Sequence, residues 1–312
     1  MISGISFGYV YRELRLTPRE VIGFGIKRFF RLAPLFWIAT LGAFLIRGGT
    51  WKLILLNFTL VFGLIAPAAY LPTGGWSIGN EVAFYTILPF AIVALRSKAK
   101  LFYVLLVASF LFAIWYAFIR LDPAHTLASQ WRTYIMPINQ VFLFLSGVLV
   151  ASRIGRNTLS ALQSYSVLFA TAVAFVLLPV GPDEISLVTG SPRFGYSACC
   201  IAVCSVAALG TLRLPVIVDR VLAWGGQTSY AIYLLHPLSY LGLRKIWPEI
   251  PVALLLSISI PLTFVAAHFI YRKVEAPMIG AGKQLALQVE RKGLANSVGA
   301  TKSDRVNPST SS

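Results

Sequence analysis

The chain has 312 residues; 57% are hydrophobic, only 12% are charged, and the net charge is +16. A soluble domain carries roughly 25% charged residues, so the composition excludes an ordinary soluble enzyme. The excess of Lys and Arg falls between apolar blocks, where membrane topology explains it better than nucleic-acid binding does.

Residues 1–11 are apolar but shorter than the roughly 20 residues a crossing needs, and read as the second half of a helix. Met1-Ile2-Ser3-Gly4 has neither the basic lead nor the small-residue cleavage site of a signal peptide. A basic loop is expected next, with Arg12, Arg15, Arg19, Lys27, Arg28 and Arg31. Leu32 to Ile46 reads as a short span. Leu53 to Leu71 is apolar but interrupted by Asn57, Gly63 and Pro67. Further spans are expected over 76–95, 101–119, 134–151, 165–180, 196–212, 229–243 and 252–271. The fold class is therefore all-α, a polytopic helical bundle of about nine crossings plus one re-entrant or interfacial segment. Residues 1–280 form the membrane domain. Residues 281–312 form a polar tail, with a surface helix over 284–292 and disorder after 295.

Alternating the spans across the bilayer tests this reading against charge. If 53–71 crossed fully, Arg96, Lys98 and Lys100 would lie outside, against the positive-inside rule. With 53–71 re-entrant, the basic residues of 12–31, 96–100, 153–156, 213–220 and the tail share the cytoplasmic side. Irregular backbone at membrane depth is tolerated only beside protein or water, so 53–71 is expected to line a cavity.

Three constellations carry chemistry. Gly74-Gly75-Trp76-Ser77-Ile78-Gly79-Asn80-Glu81 opens an apolar run with one acid a turn inside it. Glu81 either reaches interfacial water beside the belt residues Trp76 and Tyr85, or is a buried acid with cationic partners. Lys27-Arg28-Phe29-Phe30-Arg31-Leu32-Ala33-Pro34 places Arg28 and Arg31 on one helical face. That pair is either a positive-inside anchor or a fork for phosphate or carboxylate. Ser229-Tyr230-Ala231-Ile232-Tyr233-Leu234-Leu235-His236-Pro237 puts a His deep in a span. Its imidazole either satisfies a neighbouring carbonyl or acts as a base. His268 reads as a packing residue and His125 as a solvated loop residue. Cys199, Cys200 and Cys204 share one apolar block without metal-ligand spacing and read as packing residues.

The Arg28-x-x-Arg31-x-x-Pro34, Trp76-Ser77-Ile78-x-x-Glu81-x-x-Phe84-Tyr85 and Ser229-Tyr230-x-x-Tyr233-Leu234-x-His236 segments together resemble the membrane-bound acyltransferase 3 family. Phe144-Leu145-Ser146-Gly147 and Tyr271-Arg272-x-x-Glu275-x-Pro277 are weaker echoes. The resemblance covers residues 1 to about 279.

It implies a multi-pass enzyme of the bacterial inner membrane, with a cytoplasmic C-terminal tail. The enzyme would move an acyl group, commonly acetyl from acetyl-coenzyme A, to a hydroxyl of a cell-surface carbohydrate or glycolipid. Acyl-coenzyme A is a co-substrate; no permanently bound cofactor and no metal are expected. Glu81 and His236 are the candidate catalytic residues, Glu81 to orient or charge-balance the base or hold the acceptor and His236 as a substitute for the family's first-span His; Arg28 and Arg31 would bind coenzyme A. Trp76, Ser77, Tyr85 and Tyr230 would bind substrate. Ile2-Ser3-Gly4-Ile5 resembles the middle of the family's second span; the first span, with its Arg and catalytic His, has no counterpart in the sequence. Two alternatives stand beside the enzyme: a transporter or flippase of lipid-linked sugars, and a truncated, inactive remnant.

Overall fold

The computed structural model describes residues 1–156, 158–179 and 181–303, with side chains through Arg291. The helices in chain order are α1 (Ile2–Val10), α2 (Pro18–Arg47), α3 (Trp51–Phe58), α4 (Phe62–Ile65), α5 (Gly75–Ser97), α6 (Ala99–Trp115) and α7 (Trp131–Tyr134). Then come α8 (Pro137–Ala151), α9 (Ala161–Leu177), α10 (Gly190–Leu209), α11 (Val216–Ile246), α12 (Val252–Ile270) and α13 (Ala276–Ser303). Tyr116–Arg120 closes α6 as a π-helical turn, and Tyr271–Glu275 is a second such turn joining α12 to α13. Among the described residues there is no β-strand; Leu159 and Gly210 make a single parallel bridge.

Six stretches are long and apolar enough to cross a membrane: Pro18–Arg47, Gly75–Ser97, Ala99–Arg120, Trp131–Ala151, Gly190–Leu209 and Val252–Arg291. Ala161–Leu177 is a shorter apolar helix. The protein is an all-α, polytopic membrane protein, as the composition requires.

The chain divides into two compact units. The first comprises Met1–Leu14 and Gly49–Gln227. The second comprises Arg15–Gly48 and the chain from Thr228 onward.

In the first unit, α1 lies against α8 through small residues. A Cβ on Gly4 would collide with the Phe144 carbonyl, and one on Gly147 with the Met1 carbonyl. The Phe144-Leu145-Ser146-Gly147 motif therefore serves close backbone approach, the usual use of small residues between membrane helices. The interrupted segment is indeed broken, into α3 and α4. Leu60, between them, takes a left-handed φ of 61°, a strained conformation for a residue with a Cβ. Asn57 is fully buried and ties the fold-back together. Its amide nitrogen donates to the Leu53 and Ala69 carbonyls, each at 2.8 Å, and its Oδ1 accepts from the Leu71 amide at 3.0 Å. Gly63 brings α4 onto α5, where any side chain would strike the Gly79 backbone.

In the second unit, α2 begins at Pro18. Thr17 caps it by accepting from the Glu20 amide, and Pro18 occupies the first turn, where its missing N–H costs nothing. The basic stretch expected as a loop is thus helical from residue 18, and Pro34 lies inside the helix. At the far end, Lys245 donates to the Leu45 and Ile46 carbonyls at 2.8 and 2.9 Å, satisfying acceptors the helix leaves open. Helix α13 packs along α2, with Gly282 against Phe30 and Gly23 against Glu290. It runs across residue 280, the expected edge of the membrane domain. The stretch expected as a surface helix, 284–292, lies within α13. Of the tail expected to be disordered, residues 304–312 lie outside the described residues.

Candidate active site

The second unit holds a cluster of paired, partly buried charged side chains. Lys27, Arg28 and Arg31 project from the first half of α2, all half-buried. Arg31 Nη1 lies 2.7 Å from Glu275 Oε2, on the π-helical turn before α13. Glu275 is 1% exposed and Arg31 25%. The Arg31 guanidinium also sits 5.5 Å from the centre of the Tyr230 ring on α11, within reach of a cation–π attraction. The Tyr230 hydroxyl donates to the Leu32 carbonyl at 2.8 Å. Arg31 is therefore held on two sides by residues 199 and 244 positions away in sequence. A turn below, Lys27 pairs with Glu290 at 2.9 Å, with both side chains about a quarter exposed.

This pairing is the feature that spacing alone misses. Glu275 belongs to the Tyr271-Arg272-x-x-Glu275-x-Pro277 segment, where a lone acid at the end of an apolar span was the available signal. Its Oε1 is buried and has no hydrogen-bond partner among the described residues. The arrangement is a carboxylate with one oxygen neutralised by Arg31 and the other open.

His236, also in this unit, is exposed on α11, with Nδ1 3.2 Å from the Ile232 carbonyl one turn back. If Nδ1 carries the proton and donates there, Nε2 is left as the acceptor. The two sequence readings of His236 are thus compatible.

Glu81, Trp76, Ser77 and Tyr85 all lie on α5, in the first unit. Glu81 is half-buried. Trp76 packs edge-on to Trp131 at 5.8 Å and beside Tyr134 at 6.0 Å, and Trp131 Nε1 donates to the Tyr70 hydroxyl at 2.6 Å. Ser77 donates to the Gly74 carbonyl at 3.0 Å, tightening the first turn of its own helix. Tyr85 meets the edge of Phe7 at 5.2 Å. Within the second unit the structure brings Arg31 and Tyr230 together and leaves His236 open on α11; within the first, Glu81 shares α5 with Trp76, Ser77 and Tyr85. Among the described residues, no three His, Cys, Asp or Glu side chains converge as a metal site requires. His125 lies in an exposed loop, 2.9 Å from Asp122.

A family model described as an acyltransferase domain matches residues 1–272, ending just short of Glu275. No curated protein and no solved structure matches the chain. The family match runs through α1 to α12, taking in the Arg28/Arg31 face of α2, the α5 segment around Glu81 and the α11 segment around His236; the chain belongs to the acyltransferase 3 family and is a membrane acyltransferase.

Proposed function

We propose that the protein transfers an acetyl group from acetyl-coenzyme A to a hydroxyl of a cell-surface carbohydrate or glycolipid. It would do so in the bacterial inner membrane, with its C-terminal tail in the cytoplasm. The observation that carries the reading is the cationic face of α2, with Arg31 fixed by Glu275 and Tyr230. Coenzyme A is polyanionic, and guanidinium groups bind phosphates through paired, charge-assisted hydrogen bonds. Arg28 and Arg31 are assigned to those phosphates. Holding Arg31 in place beforehand lowers the ordering cost of binding.

In the reaction, the acceptor oxygen attacks the thioester carbonyl carbon and the carbon–sulfur bond breaks. The hydroxyl proton passes to a base and finally to the departing thiolate, giving an ester and free coenzyme A. His236 is assigned as that base, using Nε2. Glu81 is assigned to acceptor hydroxyls, which a carboxylate accepts well. Trp76, Ser77, Tyr85 and Tyr230 are assigned to substrate binding.

The test is transfer of labelled acetyl from acetyl-coenzyme A to polysaccharide or lipid in washed membranes. Arg31→Ala is expected to raise the KM for acetyl-coenzyme A about ten-fold, the loss of one charge-assisted contact. His236→Ala is expected to lower kcat about a hundred-fold. Wild-type transfer by Arg28→Ala, Arg31→Ala, Glu81→Gln and His236→Ala alike would overturn the assignment. Movement of a lipid-linked sugar without acetylation would identify a transporter instead.

A further inference from the structure

Arg193 poses a problem that acyl transfer does not use. It lies in the first turn of α10, inside an apolar span, and is 6% exposed. Its Nη2 donates to the backbone carbonyl of Asn139 at 2.8 Å and to the Asn139 side-chain oxygen at 2.6 Å. Asn139 is fully buried, and its amide nitrogen is spent on the Tyr134 carbonyl at 2.8 Å. Both acceptors are neutral. Among the described residues, no carboxylate pairs with Arg193, and its Nη1 is buried without a hydrogen-bond partner.

A charge inside a membrane segment is costly unless paired, and neutral oxygens do not cancel it. The chain nevertheless builds a pocket there. A cavity of about 190 Å³ is lined by Arg193 with the polar groups of Tyr134, Gln140, Ser197 and Cys200. Beside it, sharing Phe142 and Ser197, is a second cavity of about 510 Å³. That one is lined chiefly by apolar side chains of α6, α8 and α10, Leu106, Phe110 and Phe194 among them. Cation and polar groups adjoin an apolar groove on helices long and apolar enough to cross a membrane.

We propose that these two cavities bind one anionic phospholipid, its phosphate paired with Arg193 and an acyl chain in the groove. The phosphate supplies the counter-charge the protein omits, through the charge-assisted bonds guanidinium favours. A free phosphate would leave the groove unfilled, and a lipid without a phosphate would leave Arg193 uncompensated. None of the residues assigned to acyl transfer lines either cavity, although Tyr134 packs beside Trp76.

The test uses the full chain in detergent and a fluorescent phosphatidylglycerol, competed with diacylglycerol or inorganic phosphate. The wild type is expected to bind phosphatidylglycerol about ten-fold or more tighter than diacylglycerol, which has the acyl chains but no phosphate, the difference one charge-assisted hydrogen bond makes. Arg193→Gln is expected to abolish that preference. Ala198→Phe, which leaves Arg193 in place and fills the groove, is expected to weaken both lipids and settles the matter should the Gln variant fail to fold. Equal binding of the two lipids by the wild type would overturn the proposal. So would a preference that survives Arg193→Gln, or undiminished binding by Ala198→Phe. Competition by millimolar inorganic phosphate as strong as by phosphatidylglycerol would show a bare anion site and overturn it equally.

Discussion

Arg31 and Arg193 are both arginines of apolar helices, and the protein treats them in opposite ways. Arg31 receives a buried carboxylate, an aromatic face and a quarter of its side chain in the open. Arg193 receives two neutral oxygens of one asparagine, and almost no exposure. A guanidinium neutralised from within can be held rigidly and offered to a ligand. One left charged makes its environment incomplete until something else arrives. The difference separates a prearranged cation from a site that calls for an anion.

The largest expected effect comes from stripping Arg31 of its partner. Glu275→Ala should cost about 3 kcal/mol in thermal unfolding, the low end for breaking a buried pair because Arg31 is partly exposed. Replacing both, with Arg31→Met and Glu275→Leu, should restore most of that stability while leaving acetyl transfer impaired. A Glu275→Ala protein as stable as the wild type would erase the contrast. Next, Asn139→Leu should cost about 2 kcal/mol, because it takes from Arg193 a hydrogen bond made by a charged donor. Adding phosphatidylglycerol should recover part of that loss, and unfolding with and without the lipid measures it. Glu290→Gln should cost only about 0.5 kcal/mol and less at high salt, as for a partly exposed ion pair.

The smallest effect is at Asp122, fully exposed in the loop after α6. The Ala124 amide and then the His125 ring hold its carboxyl below the usual carboxylate range. A depressed folded-state value stabilises the loop above the ordinary pKa of an Asp and is lost as pH falls through the lowered one. Proteolysis of the 121–130 loop should therefore accelerate only on acidification, and Asp122→Asn should remove that dependence.

Much of this fold could be read before the structure. The apolar blocks, the break at Asn57 and Gly63, and the three-residue spacing of Arg28 and Arg31 are local patterns, and local patterns survive folding. The start of α2 was also legible in Thr17-Pro18, a cap followed by a first-turn proline, but the density of Arg and Lys around it read as loop. The site was only partly legible. Nothing in the spacing of residues 27–34 indicates that Glu275, 244 positions on, closes against Arg31. Such a pairing is set by how α2 and α13 pack. Arg193 was missed for a related reason. A single cation at the head of an apolar run resembles an interfacial anchor, and only the burial of its side chain shows otherwise.

The π-helical turn at Tyr271–Glu275 carries a consequence for what this protein can tolerate. Arg272 and Lys273 within it are exposed, so exchanging either for another polar residue should pass almost unnoticed. Its length is another matter. A π-helical turn takes in one residue beyond regular α-helix, so deleting one would let α12 run into α13 with later side chains near their present directions, whereas adding one would swing every later side chain by about 100° around the axis. Glu290 would turn away from Lys27, and Gly282 would no longer meet Phe30. The segment is therefore permissive in composition and strict toward added length, a place where a three-base insertion does more damage than most missense changes.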